Sequence, residues 1–225
     1  MEKDLAEERK KIEPELPDIM TWLLRAYNEV PEKTPKINLD MYGDSQLIIT
    51  AGSDTTAAAL AAIFCELASA PDQIAKLRDE LVGHTENFRD VALGLRGLPH
   101  LDAVINEALR LHPPVPSGAQ RMTPPQGLKI GHVNVPGNTM VQIPHHAMFR
   151  GTLAPTASVS KNMDGLANHK YVDERCWVRP NEFIPERWTN QPELFIDGSV
   201  YIPFLIGTFI ILYNQQRMVI TCLFL

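Results

Sequence analysis

From Asp40 to Ala70 the chain runs without a proline and is dominated by Leu, Ile and Ala. As a helix this segment would be roughly 45 Å long. It is apolar nearly all round, so it reads as a helix buried inside a large protein, and Pro71 ends it and starts the next one. Its middle breaks the pattern: Ala51-Gly52-Ser53-Asp54-Thr55-Thr56 sets a glycine and several small polar groups where they weaken a helix. Two explanations stand. A glycine lets a ligand approach the backbone, and a hydroxyl beside a carboxylate can relay protons to something bound there. Alternatively the Ser and Thr hydroxyls simply bond back to preceding carbonyls of a kinked helix.

The full chain of 225 residues, 44% hydrophobic, can bury a sizeable core and is taken as a single domain over 1–225. A net charge of −6, with no stretch that concentrates Lys and Arg, removes the footprint of a nucleic-acid binder. Cys65, Cys176 and Cys222 are few, odd in number and scattered, which indicates neither a disulfide framework nor paired zinc ligands. A reducing, intracellular setting fits that usage. The N-terminal segment is charged from Glu2 onward and shows no signal peptide or membrane anchor. Near the other end, FLIGTFIILY and MVITCLFL are separated by Asn214 to Arg217, leaving no uninterrupted run long enough to span a bilayer.

Around the long helix, DIMTWLLRAYNEV from Asp18 reads as an amphipathic helix with Asp18 as its cap. After Pro71, Ile74, Leu77 and Leu81 recur at helical spacing, while Asp79, Glu80, Lys76 and Arg78 face away, as on an ordinary surface helix. Leu98 to Leu111 is strongly periodic, with Leu101, Val104, Ile105, Ala108 and Leu109 on one stripe and Pro113-Pro114 as the stop. Of the 18 prolines, 12 lie from Pro113 onward. There LKIGHVNV and NTMVQIP alternate like short strands, with turns at Gly127, Gly131 and Pro136-Gly137. The expected class is mainly α with a small β region.

Glu107 and Arg110 are spaced i, i+3, a weak signal that on an exposed helix is worth about 0.2–0.5 kcal/mol. A helical wheel puts both opposite the apolar stripe, which predicts a solvated face. The other reading needs a third partner, and Arg187 in Pro185-Glu186-Arg187-Trp188 is the candidate that would turn the pair into a buried network.

The order of these signals matters more than any one of them. GDSQLIITAGSDTTA, INEALRLHPPVP, NEFIPERW and YIPF follow one another as they do in the cytochromes P-450, haem-thiolate monooxygenases, particularly the fungal ones, which the chain resembles over most of 18–207. The resemblance implies a partial cytochrome P-450 fold, about the C-terminal half of such an enzyme, without the family's membrane anchor and most substrate-lining segments. It implies that Gly52, Asp54 and Thr55 lie over the distal face of a haem, with Asp54 and Thr55 serving proton delivery. Glu107, Arg110 and Arg187 would be the family's structural triad, Arg121 the partner of a haem propionate, and Phe204 and Gly207 the start of the haem-binding loop. The same likeness implies an NADPH-dependent reductase as partner, a small apolar organic substrate and, in many members, the endoplasmic reticulum membrane.

Two departures qualify that likeness. The family's F-x-x-G-x-x-x-C-x-G motif starts at Phe204 and Gly207, but Ile211 stands where the iron-ligating cysteine belongs and Tyr213 where the second glycine belongs. Cys222 lies too far along and has none of the motif around it. Residues 151–172 form a polar stretch without periodicity; joining Arg150 to Asp173 restores the family pattern, and 208–225 is equally atypical. Both segments read as unspliced introns, or the first as a genuine surface insertion, which loops tolerate at little cost. No metal ligand is assigned, haem is not expected to be stably held, and the chain is read as an inactive monooxygenase or a haem-free fragment that binds a partner.

Overall fold

The structure, a computed structural model, describes residues 19–29, 35–82, 97–151 and 176–204, with side chains of the long helix from residue 40 onward. Among the described residues five helices are defined: α1 Ile19–Asn28, α2 Pro35–Ser69, α3 Pro71–Leu81, α4 Pro99–Leu111 and α5 His145–Phe149. Four short strands lie between α4 and α5: β1 Gln120–Met122, β2 Leu128–Ile130, β3 Val133–Val135 and β4 Met140–Gln142. Short 3-10 turns follow, the first of them Pro185–Trp188. The protein is therefore mainly α with a small β region.

The chain packs as two compact units, Met1–Thr55 and Thr56–Leu225, whose boundary falls inside α2. In the first, the Tyr27 hydroxyl donates to Asp44 Oδ2 at 2.6 Å, and the carboxylate's hold pushes the phenol pKa up to about 12. Met41 and Ser45 are buried, and the Ser45 hydroxyl donates to the Met41 carbonyl at 2.8 Å.

In the second unit, Ala59, Ile63 and Leu67 of α2, Leu77 of α3 and Leu101, Val104, Ile105, Ala108 and Leu109 of α4 form one apolar core. Phe183 and Phe204 pack against its edge. At about 1.5–3 kcal/mol per fully buried large side chain, this core is the unit's main source of stability. Prolines set its helix starts: Pro71 opens α3 and Pro99 opens α4, where a missing N–H costs nothing.

The β region is two antiparallel pairs, β1 with β4 and β2 with β3. Arg121 of β1 faces Val141 of β4 across the ladder. The hairpin β2–β3 turns at Gly131, whose φ of 58° suits a glycine, and Gly127 before it is required by space as well, since a Cβ there would lie 2.7 Å from the Val135 carbonyl oxygen.

Three expectations are corrected. The long helix forms, but it is not buried all round: Leu47, Ile49 and Phe64 are 65, 55 and 55% exposed, because the described neighbours cover one stripe of it only. By length and composition alone, Asp40–Ser69 is apolar enough to cross a membrane, the one such helix among the described residues. In α3 the inward face is Gln73, Leu77, Glu80 and Leu81 rather than Ile74, Leu77 and Leu81, because polar contacts of Gln73 and Glu80 with other elements rotate the helix. Finally, α4 is buried nearly all round, so its wheel does not leave Glu107 and Arg110 in solvent. Gly207, Ile211, Tyr213, Cys222 and residues 152–172 lie outside the described residues.

Candidate functional site

Glu107, Arg110 and Arg187 meet inside the second unit, 0, 0 and 1% exposed. The helical turn alone brings the first two together: Arg110 Nε donates to Glu107 Oε2 and Nη2 to Oε1, both at 2.9 Å, the fork-on-fork geometry that guanidinium and carboxylate favour. Arg187 arrives from the 3-10 turn far along the chain and donates through Nε to Glu107 Oε1 at 3.1 Å. Two more donors complete the carboxylate, Ile184 N on Oε1 at 3.0 Å and the Trp188 indole Nε1 on Oε2 at 2.9 Å.

One carboxylate against two guanidiniums leaves an excess positive charge in the interior. Backbone carbonyls absorb it. Arg110 donates to the oxygens of Phe149 at 3.1 Å, Pro180 at 2.6 Å and Glu182 at 3.1 Å. Arg187 donates to Val178 at 2.8 Å, Leu194 at 2.6 Å and Arg179 at 3.2 Å. The turn that presents several of these oxygens bends at Arg179, whose φ of 53° is unusual for a side chain of its size. Arg179 is held there by a forked ion pair with Glu182, its Nε lying 2.8 Å from Oε1.

Trp177, itself fully buried, closes the network on one side. Its ring stacks on Phe195 at 4.4 Å, and the guanidinium carbons of Arg110 and Arg187 lie 5.0 and 5.8 Å from its centroid. Burial draws the pKa of Arg187 below the ordinary arginine range, with Glu107 acting in the opposite sense and Arg110 reinforcing the fall. So placed, these groups can cross-link α4 to the segment from 177 to 195 but offer no free donor pair to a substrate.

The other sequence-derived candidates are described by their own contacts. Gly52, Asp54 and Thr55 lie on α2 within the first unit. The Thr55 hydroxyl donates to the Ala51 carbonyl at 2.6 Å and the Ser53 hydroxyl to the Thr50 carbonyl at 3.2 Å, so both turn back onto their own helix. Ser53 Oγ also lies 3.5 Å from Asp54 Oδ1, the limit of a hydrogen bond. An added Cβ at Gly52 would meet nothing within 4 Å. Arg121 is exposed on β1, with Nη1 donating to the neighbouring Gln120 carbonyl at 2.8 Å. Phe204 is half-buried against the core. Among the described residues no three His, Cys, Asp or Glu side chains are grouped to hold a metal ion.

Sequence reading missed Trp177, the Trp188 and Ile184 donors, and Glu80 and Arg150, both of which bind the ends of α4. Ile184 and Trp188 carried a signal, their place in the NEFIPERW run; Trp177, Glu80 and Arg150 are single residues with no spacing to mark them.

Comparison with known proteins bears on the chain as a whole. The sequence model of the cytochrome P-450 family matches residues 3–152. A cytochrome P-450 monooxygenase, FCK2, from Fusarium pseudograminearum is 41% identical over 202 residues, which is 89% of this chain and 33% of the relative. Another, orf5 of Eupenicillium brefeldianum, is 42% identical over 197 residues, 86% of this chain and 34% of that protein. Tryprostatin B 6-hydroxylase of Aspergillus fumigatus is 39% identical over 200 residues, 87% of this chain and 31% of its own length. The chain thus spans about a third of the length of the curated relatives it matches. With most of its length, residues 3–152, matched by the family model, the chain belongs to the cytochrome P-450 family.

Proposed function

We propose that this chain carries the internal frame of a haem-dependent monooxygenase but does not itself hold a catalytic haem. The observation behind the first half is the Glu107 carboxylate, buried and met by five donors from two separated stretches of chain, its own helix and residues 184–188. In an intact protein of this family the bound haem supplies insertion of one oxygen atom from dioxygen into a small apolar organic molecule, with electrons from an NADPH-dependent reductase.

The donor set argues for the second half. Ile211 occupies the position of the iron-ligating cysteine and has no lone pair to offer. Of the described cysteines, Cys65 is exposed on α2 and Cys176 belongs to the loop before Trp177; neither stands in a P-F-x-x-G context. The residues present therefore do not fit a thiolate-held haem. In this reading Gly52, Asp54 and Thr55 are the remnant of the wall above the porphyrin, Arg121 that of a propionate contact, and Phe204 and Gly207 the start of an interrupted ligand loop. No chemical step is assigned to them in this chain.

A haem-free module held by a partner is the second reading, and the exposed Leu47, Ile49 and Phe64 on α2 favour it. Purified protein titrated with haemin, reduced and exposed to carbon monoxide should show no thiolate-type Soret band. The appearance of that band would overturn the claim of a chain without an iron ligand.

A further inference from the structure

Helix α4 bears both Glu107 and Arg110, so the network depends on where this helix lies along its own axis. A slip by one residue would rise about 1.5 Å and swing each side chain about 100°. The apolar core resists that slip weakly, since hydrophobic contact has no direction. The polar contacts at the two ends of the helix do have direction.

At the N-terminus the residue before the helix, Leu98, offers no side-chain cap and Pro99 no N–H. A carboxylate from another helix fills the gap: Glu80 of α3 accepts from His100 N through Oε1 and from Leu101 N through Oε2, each at 2.8 Å. At the C-terminus Arg150, just past α5, donates to the Leu111 carbonyl through Nε at 3.1 Å and Nη2 at 2.6 Å. An anion thus sits at the positive end of the helix dipole and a cation at the negative end. Each contact uses both prongs of its group, which fixes direction as well as distance.

The elements that supply these groups also touch the network or the residue next to it. From α3, Gln73 Nε2 and Lys76 Nζ donate to Glu186 Oε1 at 3.0 and 2.5 Å, beside Arg187. From α5, the Phe149 carbonyl adjoining Arg150 accepts from Arg110. Burial lowers the pKa of Arg150, as does the charge of Arg110 nearby, while Glu66 opposes the fall.

We propose that Glu80 and Arg150 are positioning residues, which clamp α4 at both ends and so set the register at which Glu107 and Arg110 meet Arg187. The inference rests on the reading of that network as the frame of the fold.

The test is the NMR resonances of the Trp188 indole N–H and the Arg110 Nε–H in the folded protein, with Trp188→Phe used for assignment. In Glu80→Gln and Arg150→Met both resonances should move, and exchange of the Trp188 indole proton with solvent should quicken roughly tenfold. Arg150→Lys, which keeps the charge, should lie between Arg150→Met and the parent. Should Arg150→Met fail to fold, Glu80→Gln and Arg150→Lys decide the matter. Unmoved resonances in folded variants would overturn the clamp, whatever the change in melting temperature. Neither readout uses haem, so a failure of the clamp is separable from a failure of the haem reading. A parent spectrum with a Trp188 indole proton exposed to solvent would instead overturn the network itself.

Discussion

Glu107 on α4 and Thr55 on α2 are both polar residues in largely apolar helices, and they are satisfied in opposite ways. Glu107 is wholly buried and takes its donors from its own helix, from the Ile184 backbone and from Arg187 and Trp188. Thr55 spends its hydroxyl on Ala51, one turn back on the same helix. The first arrangement exists only if distant stretches fold together; the second would form in an isolated helix. Stability should therefore concentrate around Glu107, and the middle of α2 should tolerate change.

The largest break in that comparison is Glu107→Ala. It leaves two buried guanidiniums facing each other without their shared carboxylate, and removal of one partner from a buried ion pair costs about 3–5 kcal/mol. Denaturant unfolding of the purified chain, followed by the fluorescence of the buried tryptophan cluster, should show a midpoint shift of that size. A loss under about 1 kcal/mol would mean that the carbonyls around Arg110 and Arg187 suffice to hold them.

A smaller break is Trp188→Phe, which keeps an aromatic ring against Trp177 and Phe195 but removes the indole donor to Glu107 Oε2. A hydrogen bond to a charged group is worth about 1.5–3 kcal/mol. The same unfolding measurement should register a loss in that range, below that of Glu107→Ala. Equal losses would show that the ring's packing, rather than its N–H, matters to the network.

The contrast between the two regions also decides what could be read in advance. Helix α4 was legible because Pro99 starts it, Pro113 stops it and its apolar stripe repeats with the helical period. The burial of Glu107 was not, because a wheel drawn from α4 alone cannot include Arg187, 80 residues away. The candidate triad emerged from motif order across the chain, which carries long-range information that periodicity lacks. For α2 the error ran the other way: an all-round apolar composition indicated burial, but composition cannot say whether neighbours are at hand to provide it. Helix α5 went unseen because its 5 residues are too few for a period to register. Glu80 and Arg150 look like ordinary surface charges until the ends of α4 are placed beside them.

The smallest effect sharpens the comparison by its sign. Gly52 lies inside α2, where glycine costs about 0.5–1 kcal/mol relative to alanine through the freedom it grants the unfolded chain. An added methyl there would meet nothing within 4 Å. Gly52→Ala should therefore stabilise the chain by roughly that amount, read as a rise in the denaturant midpoint at unchanged slope. The outcome bears on more than stability. If the glycine's only role in this chain were conformational, substitution could only help, and a gain would fit a helix whose polar groups have turned back on themselves. A loss would reveal a close neighbour pressed against the backbone at Gly52. Such a neighbour is what a working porphyrin wall would need, and it would return the middle of α2 to the class of long-range sites that Glu107 now represents.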